Sequence, residues 1–138
     1  MGATGPRVVV AALLARALAV QQRYAEAEQL TSLCQELAAP SQIDSQVEWR
    51  GIRAVVLARR GELEAAERLG HEAVALAERT EQPGLSAQAL MDLAEILHMA
   101  DRQAEASAVI HRAVELYERK GNRVATHNAQ AILTKLTG

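Results

Sequence analysis

Phenylalanine is missing from this 138-residue chain, and its only other aromatic side chains are one tryptophan and two tyrosines. A surface so poor in rings offers no stacking platform for nucleic-acid bases. Charge of one sign is missing as well: 15 basic residues face 17 acidic ones, the formal net charge is -2, and no five like charges run together. Nucleic-acid modules carry a basic excess, so a general polyanion binder is excluded. With Cys34 as the single cysteine, no internal disulfide framework exists, which fits a reducing, cytoplasmic setting. The longest unbroken apolar run, Val8–Ala15, has eight residues, far below the roughly 20 that cross a bilayer. Arg7 before that run and Ala17-Leu18-Ala19 after it imitate a secretory signal, but Arg16 interrupts the pattern where a charge is unusual. No membrane association is expected.

Helix breakers are also few. Three Pro and eight Gly stand against 28 Ala, a composition that favours helix over sheet. Internal repetition then organises the chain. Tyr24–Leu30, Leu63–Leu69 and Gln103–Val109 align without gaps, and their pivotal residues Ala27, Ala66 and Ala106 lie 39 and 40 residues apart. Seven residues later each segment has a small side chain, at Cys34, Ala73 and Ala113, followed by Leu37, Leu76 and Leu116. Twelve residues before the pivots stand Ala15, Ala54 and Ala94, each with a leucine three further on: Leu18, Leu57 and Leu97. A period near 40 that fixes large and small positions together marks a repeat architecture.

Each unit reads as two helices, with apolar residues at three- and four-residue spacing on both sides of a short polar break. The breaks are Gln21-Gln22-Arg23, Arg60-Gly61-Glu62 and Ala100-Asp101-Arg102. Gly61 suits a helix C-terminus, and Asp101 is expected as an N-cap. Helix stops also stand at Ala39-Pro40-Ser41, Glu81-Gln82-Pro83-Gly84 and Lys120-Gly121-Asn122. Seven helices are expected, at about 7–22, 24–38, 43–60, 62–80, 84–100, 102–120 and 123–136. Helices joined by so few residues pack antiparallel, and small residues at the crossing let the backbones approach. The expected fold is all-α: a right-handed solenoid of three antiparallel helix pairs, repeats about 7–40, 43–81 and 84–121, plus a C-terminal capping helix, forming one domain over 1–138.

The spacing of Ala54, Ala66 and Ala73 and its echoes resembles the tetratricopeptide repeat family over about residues 7–136. The unit here is longer than the family's usual 34 residues and lacks most of its aromatic positions. Long units of this kind resemble the arrays attached to bacterial signalling and transcription regulators. The resemblance implies that the first helix of each unit lines a peptide groove. The matching positions are Arg16, Val55, Arg59, Gln88, Met91, Glu95, His98 and Met99. The Lys and Asn pairs with which some family members clamp a terminal carboxylate are not matched, so a free C-terminus is not the expected ligand.

Other constellations have plain structural readings. Glu95 and His98 form Glu-x-x-His, which with Asp92 could hold one metal, but a helical di-iron site needs a second such motif and further inward carboxylates. His71 and His111 occupy equivalent positions on successive repeats, about a helix spacing apart, too far to share an ion. Cys34 reads as a small buried group and Trp49 as packing between repeats. Neither phosphate loop nor nucleophile–base pair is evident, so no catalysis, cofactor or metal is expected. Arg50, Arg53, Arg59 and Arg60 on the third helix, opposite Asp92, Glu95 and Asp101, form either surface ion pairs or a charge-divided groove on the concave wall.

The ends differ. In the last helix Val124, Ile132, Leu133 and Leu136 are expected inward, with Thr126, His127, Gln130 and Lys135 in water. From Val8 to Val20 the first helix has Arg16 as its only charge, and a helix apolar nearly all round expects burial on most sides. A homodimer through Val8, Val9, Ala12, Leu13 and Val20, or contact with upstream repeats, would supply it. The expected function is a non-catalytic protein–protein interaction, scaffold or self-association module of a larger regulator, with a protein or peptide segment as partner. The alternative is a small-molecule-sensing domain with its ligand on the concave face between Met91, Met99 and Arg59.

Overall fold

A computed structural model describes residues 4–137; residues 1–3 and 138 of the expected domain lie outside it. Seven α-helices follow in order: α1 (Thr4–Val20), α2 (Tyr24–Leu37), α3 (Ile43–Arg59), α4 (Leu63–Glu78), α5 (Pro83–Met99), α6 (Gln103–Lys120) and α7 (Arg123–Thr137). They pack as sequential antiparallel pairs, α1 with α2, α3 with α4 and α5 with α6, consistent with a tetratricopeptide-like solenoid. The first helices also touch in series, α1 on α3 and α3 on α5, while each second helix packs on the first helix of the next pair.

The alanine ladder makes the crossings. Ala15, Ala27, Ala54, Ala66, Ala94 and Ala106 are all buried, as are Cys34, Ala73 and Ala113 one level along. Larger side chains fill the space beside them: Leu18 and Val56 beside Ala27, Ile96 beside Ala66, and Leu90, Leu93, Leu97 and Ile110 around Ala94 and Ala106. Trp49 packs with Val8, Ala11, Ala12, Ala15 and Cys34 between the first two pairs. Its indole N–H donates to Gln46 Oε1 at 3.1 Å, and the Arg50 and Arg53 guanidiniums lie 4.4 and 5.1 Å from its ring centroid.

The turns repeat as well. Gln22, Gly61 and Asp101 adopt the left-handed backbone at φ 64, 88 and 62°. The next amide in each case, at Arg23, Glu62 and Arg102, donates to Leu18 O, Leu57 O and Leu97 O at 2.8, 2.9 and 2.9 Å. This is the six-residue closure that satisfies the last carbonyls of a helix. Gly61 stops its helix as expected. Asp101 is not the N-cap of α6, whose N-cap is Arg102; the tight closure takes the aspartate into the turn itself.

Both ends depart from expectation in detail. α7 packs through Ala125, Ala129, Leu133 and Leu136, whereas Val124 is 72% exposed and Ile132 43%. Small residues win the close approach here, as in the pairs before it. In α1, Val8 and Ala12, two of the five residues expected at a self-contact, are buried in the chain's own core. The apolar face left open is Val9, Val10, Leu13, Leu14 and Val20, with Leu13 64% exposed. No described helix is long and apolar enough to cross a membrane.

Candidate functional site

Because α1, α3 and α5 lie side by side, residues one or two turns apart on each come to share a single surface. Two adjoining cavities open there. The larger, about 400 Å³, is lined in part by Arg16, Arg59, Gln88, Met91, Glu95 and His98. The smaller, about 230 Å³, includes Val55 and shares Arg16, Arg59 and Glu95 with the first. Seven of the eight residues expected on the first-helix face therefore line one or the other of these adjoining cavities. Met99 does not: it packs against Ala54, Ala58, Ala66 and Ile96, on the side of α5 turned toward the α3–α4 pair.

Two ion pairs cross this surface. Arg59 Nη2 meets Glu95 Oε2 at 2.7 Å, joining α3 to α5. Arg16 reaches further, from α1 past α3 to α5, where Nη1 and Nη2 donate to Asp92 Oδ1 and Oδ2, each at 2.9 Å. Parallel N–H···O bonds of this kind are the strong form of the carboxylate–guanidinium contact. The two partners are unequal: Asp92's side chain is 7% exposed and Arg16's 34%. Gln88 Nε2 adds a long bond of 3.3 Å to Asp92 Oδ1. Burial works against the charge on Arg16, but attraction and hydrogen bonding from Asp92, helped by Glu48 and Glu95, hold its pKa above the ordinary arginine value.

Gly51 makes the long reach possible. It lies inside α3, where glycine costs about 1 kcal/mol relative to alanine, and a Cβ there would collide with Asp92 Oδ2. The missing side chain leaves the space in which the carboxylate crosses α3. Asp92 was expected on the concave wall, but its pairing with Arg16 was not, and neither Gly51 nor the cavity-lining Tyr117, Asn128, Ile132 and Leu136 was among the residues expected at the groove. The usable signal was an aspartate inside the apolar stretch Leu90–Leu93, together with a glycine in the middle of the preceding first helix.

The remaining charges sort differently from expectation. Arg53 turns to α2, donating to Gln35 Oε1 at 2.8 Å and Ser32 Oγ at 2.9 Å, and Arg60 pairs with Glu28 at 2.6 Å. Arg50 donates to Gln46 Oε1 at 2.7 Å. None of these three lines the two cavities described above, so the arginine cluster does not form one wall. Asp101 lies in its turn, away from that surface. The possible metal triad is already spoken for: Asp92 holds Arg16, Glu95 holds Arg59, and His98 Nδ1 lies 2.7 Å from Gln103 Oε1. Among the described residues no three His, Cys, Asp or Glu side chains converge as a metal site would require. Cys34 is buried, and burial pushes its thiol pKa up, the opposite of what a nucleophile needs. His71 lies 3.5 Å from Glu67 on the exposed side of α4, and His111 is likewise on the surface.

Stacked helix pairs whose first members line a depression define an α-helical repeat scaffold, a class that presents extended binding surfaces. The tetratricopeptide repeat family matches residues 53–84, which run from the middle of α3 through α4 to the start of α5. A repeat of this kind implies a protein-interaction module. Among curated proteins, none matches the chain.

Proposed function

We propose that this chain is a non-catalytic interaction module that holds a protein or peptide segment against its first-helix face. The observation that carries the reading is the pair of adjoining cavities along α1, α3 and α5, lined between them by Arg16, Val55, Arg59, Gln88, Met91, Glu95 and His98. Their walls alternate apolar groups with fixed charges, which orient a bound segment and set its register. We extend the proposal to a long-unit array belonging to a larger cytoplasmic bacterial regulator, a reading that rests on the 39- and 40-residue units alone. The open apolar face of α1 supports either self-association or a junction with upstream repeats.

Arg59 is the position to test, because it is half-exposed in the depression and its pair with Glu95 carries little of the fold. In a pull-down, Arg59→Glu loses partners that Arg68→Glu, on the exposed side of α4, retains. Identical partner lists for both variants refute groove recognition. Sedimentation of the wild type tests self-association: a shift to monomer with Leu13→Glu supports it, and a monomer at every concentration removes it.

Small-molecule sensing keeps one observation in its favour, since about 400 Å³ falls within the range of small-ligand cavities. Met91 and Arg59 remain at that cavity and Met99 does not. A thermal-shift screen against metabolites separates this reading from the first.

A further inference from the structure

The Arg16–Asp92 pair is asymmetric in a way that matters for recognition. Asp92 cannot leave: it projects from the buried side of α5 into the space that Gly51 vacates, with Gln88 against it. Arg16 can leave, being a long side chain at the rim with solvent on one side and the half-buried carboxylate of Glu48 within electrostatic reach. Exchange at this seat therefore replaces the guanidinium and keeps the carboxylate. Removing Arg16 without a substitute would strand a buried charge, so whatever enters must be cationic. Once Arg16 has swung out, Asp92 and Glu95 face Arg59 across the depression, a local excess of negative charge.

A second observation lies in the same cavity. Tyr117 is 7% exposed and lines the larger cavity, with Asp92 and Arg16 both within electrostatic range. Burial, with Asp92 adding to it and Arg16 opposing, raises its phenol pKa. A phenol within electrostatic range of a carboxylate, in a cavity that Met91, Ile132 and Leu136 also line, has the make-up of a site for a polar head next to an aliphatic group.

We propose that Arg16 is a built-in stand-in for an arginine of the bound segment: Asp92 is the seat of a partner guanidinium, and an aliphatic residue beside that arginine fills the space between Met91, Ile132 and Leu136. This rests on the reading that the first-helix face receives a segment, and it names the chemistry of that segment. A tethered guanidinium competes at an effective concentration in the millimolar range. Isolated cations are thus excluded from the wild type, and a segment enters only with the help of its aliphatic contacts.

The test uses the whole chain with Arg16→Ala and Arg16→Ala/Asp92→Asn, and two probes. Methylguanidinium at low-millimolar concentration raises the melting temperature of Arg16→Ala more than that of the wild type, and more than methylammonium does. The double variant shows no such difference. The peptide acetyl-Ala-Leu-Arg-Leu-Ala-amide binds Arg16→Ala at least about tenfold more tightly than the wild type, the effect of removing the tethered competitor. It also binds at least about tenfold more tightly than its citrulline analogue, which lacks the charge. Equal responses of the single and double variants to methylguanidinium overturn the seat. Rescue without any preference for the arginine peptide overturns the stand-in role while leaving the seat. Should Arg16→Ala fail to fold alone, refolding with methylguanidinium or methylammonium is the same measurement: recovery of helical signal with the first only supports the seat, and equal recovery overturns it. Loss of the seat leaves the Arg59→Glu comparison untouched, so the two readings fail separately.

Discussion

Replacing Gly51 by alanine pits two effects of opposite sign against each other. In a helix interior the substitution contributes about 1 kcal/mol through propensity alone. Against it stands the new Cβ, which collides with Asp92 Oδ2. That oxygen is no flexible tip: it accepts from Arg16 Nη2 at 2.9 Å on a residue 6% exposed. Overpacking a filled site costs about 1–3 kcal/mol, and misaligning a charge-assisted bond adds about 1 kcal/mol or more. The net expectation for Gly51→Ala is a loss of about 1–3 kcal/mol. Asp92→Ala removes the obstacle, because the Asp92 Cβ would lie 3.8 Å from the new methyl, an ordinary contact. In that background Gly51→Ala should stabilise by about 1 kcal/mol, giving a coupling of roughly 2–4 kcal/mol between the two sites. Urea unfolding of the four proteins, followed by circular dichroism with the slope unchanged, reads this directly. A gain in stability for Gly51→Ala in the wild-type chain, or the same shift in both backgrounds, refutes the crossing of Asp92 over α3.

Other expectations follow from the turns and from burial. Gln22, Gly61 and Asp101 share one left-handed position, so Gln22→Gly should stabilise by about 0.5–1 kcal/mol and Asp101→Gly by less, since aspartate tolerates that backbone better. Gly61→Ala should destabilise by about 1 kcal/mol, and nothing lies within 4 Å to add a clash; thermal melts of the three variants give the order. Glu48 has a raised pKa, first from burial, with Arg16 opposing and Asp44 adding. Its folded form therefore holds its proton more tightly than the unfolded chain does. That contribution is complete below the unfolded value of about 4.3 and is lost as pH rises through the folded value. Glu48→Gln should accordingly gain stability on the wild type between about pH 4 and pH 7 in urea melts, and a constant difference across that range contradicts the assignment.

Much of the fold could be read from residue order because its demands are local and periodic. Close antiparallel crossings need small side chains at fixed intervals, so Ala54, Ala66 and Ala73 announce one pair and their echoes announce the others. The Arg59–Glu95 contact was visible for a similar reason, with opposite charges on successive first helices. Arg16–Asp92 was not, because its partners are 76 residues apart and the contact skips a helix. Its trace is an absence, Gly51, paired with a misplaced aspartate. In α7, Leu133 and Leu136 pack inward as expected, but Ala125 and Ala129 join them there and Val124 is left outside, because close approach favours small residues over large ones. Arg53 and Arg60 face α2 because a helix carrying arginines seven residues apart still presents them to whichever neighbour offers acceptors, here Ser32, Gln35 and Glu28.

Hydrogen exchange of the chain with and without a partner recovered through the Arg59 comparison tests the central claim most directly. Binding along the first helices predicts slowed exchange in α3 and α5, with α4 and α6 unchanged. Protection confined to α4 and α6 would place the partner on the opposite face and contradict the account.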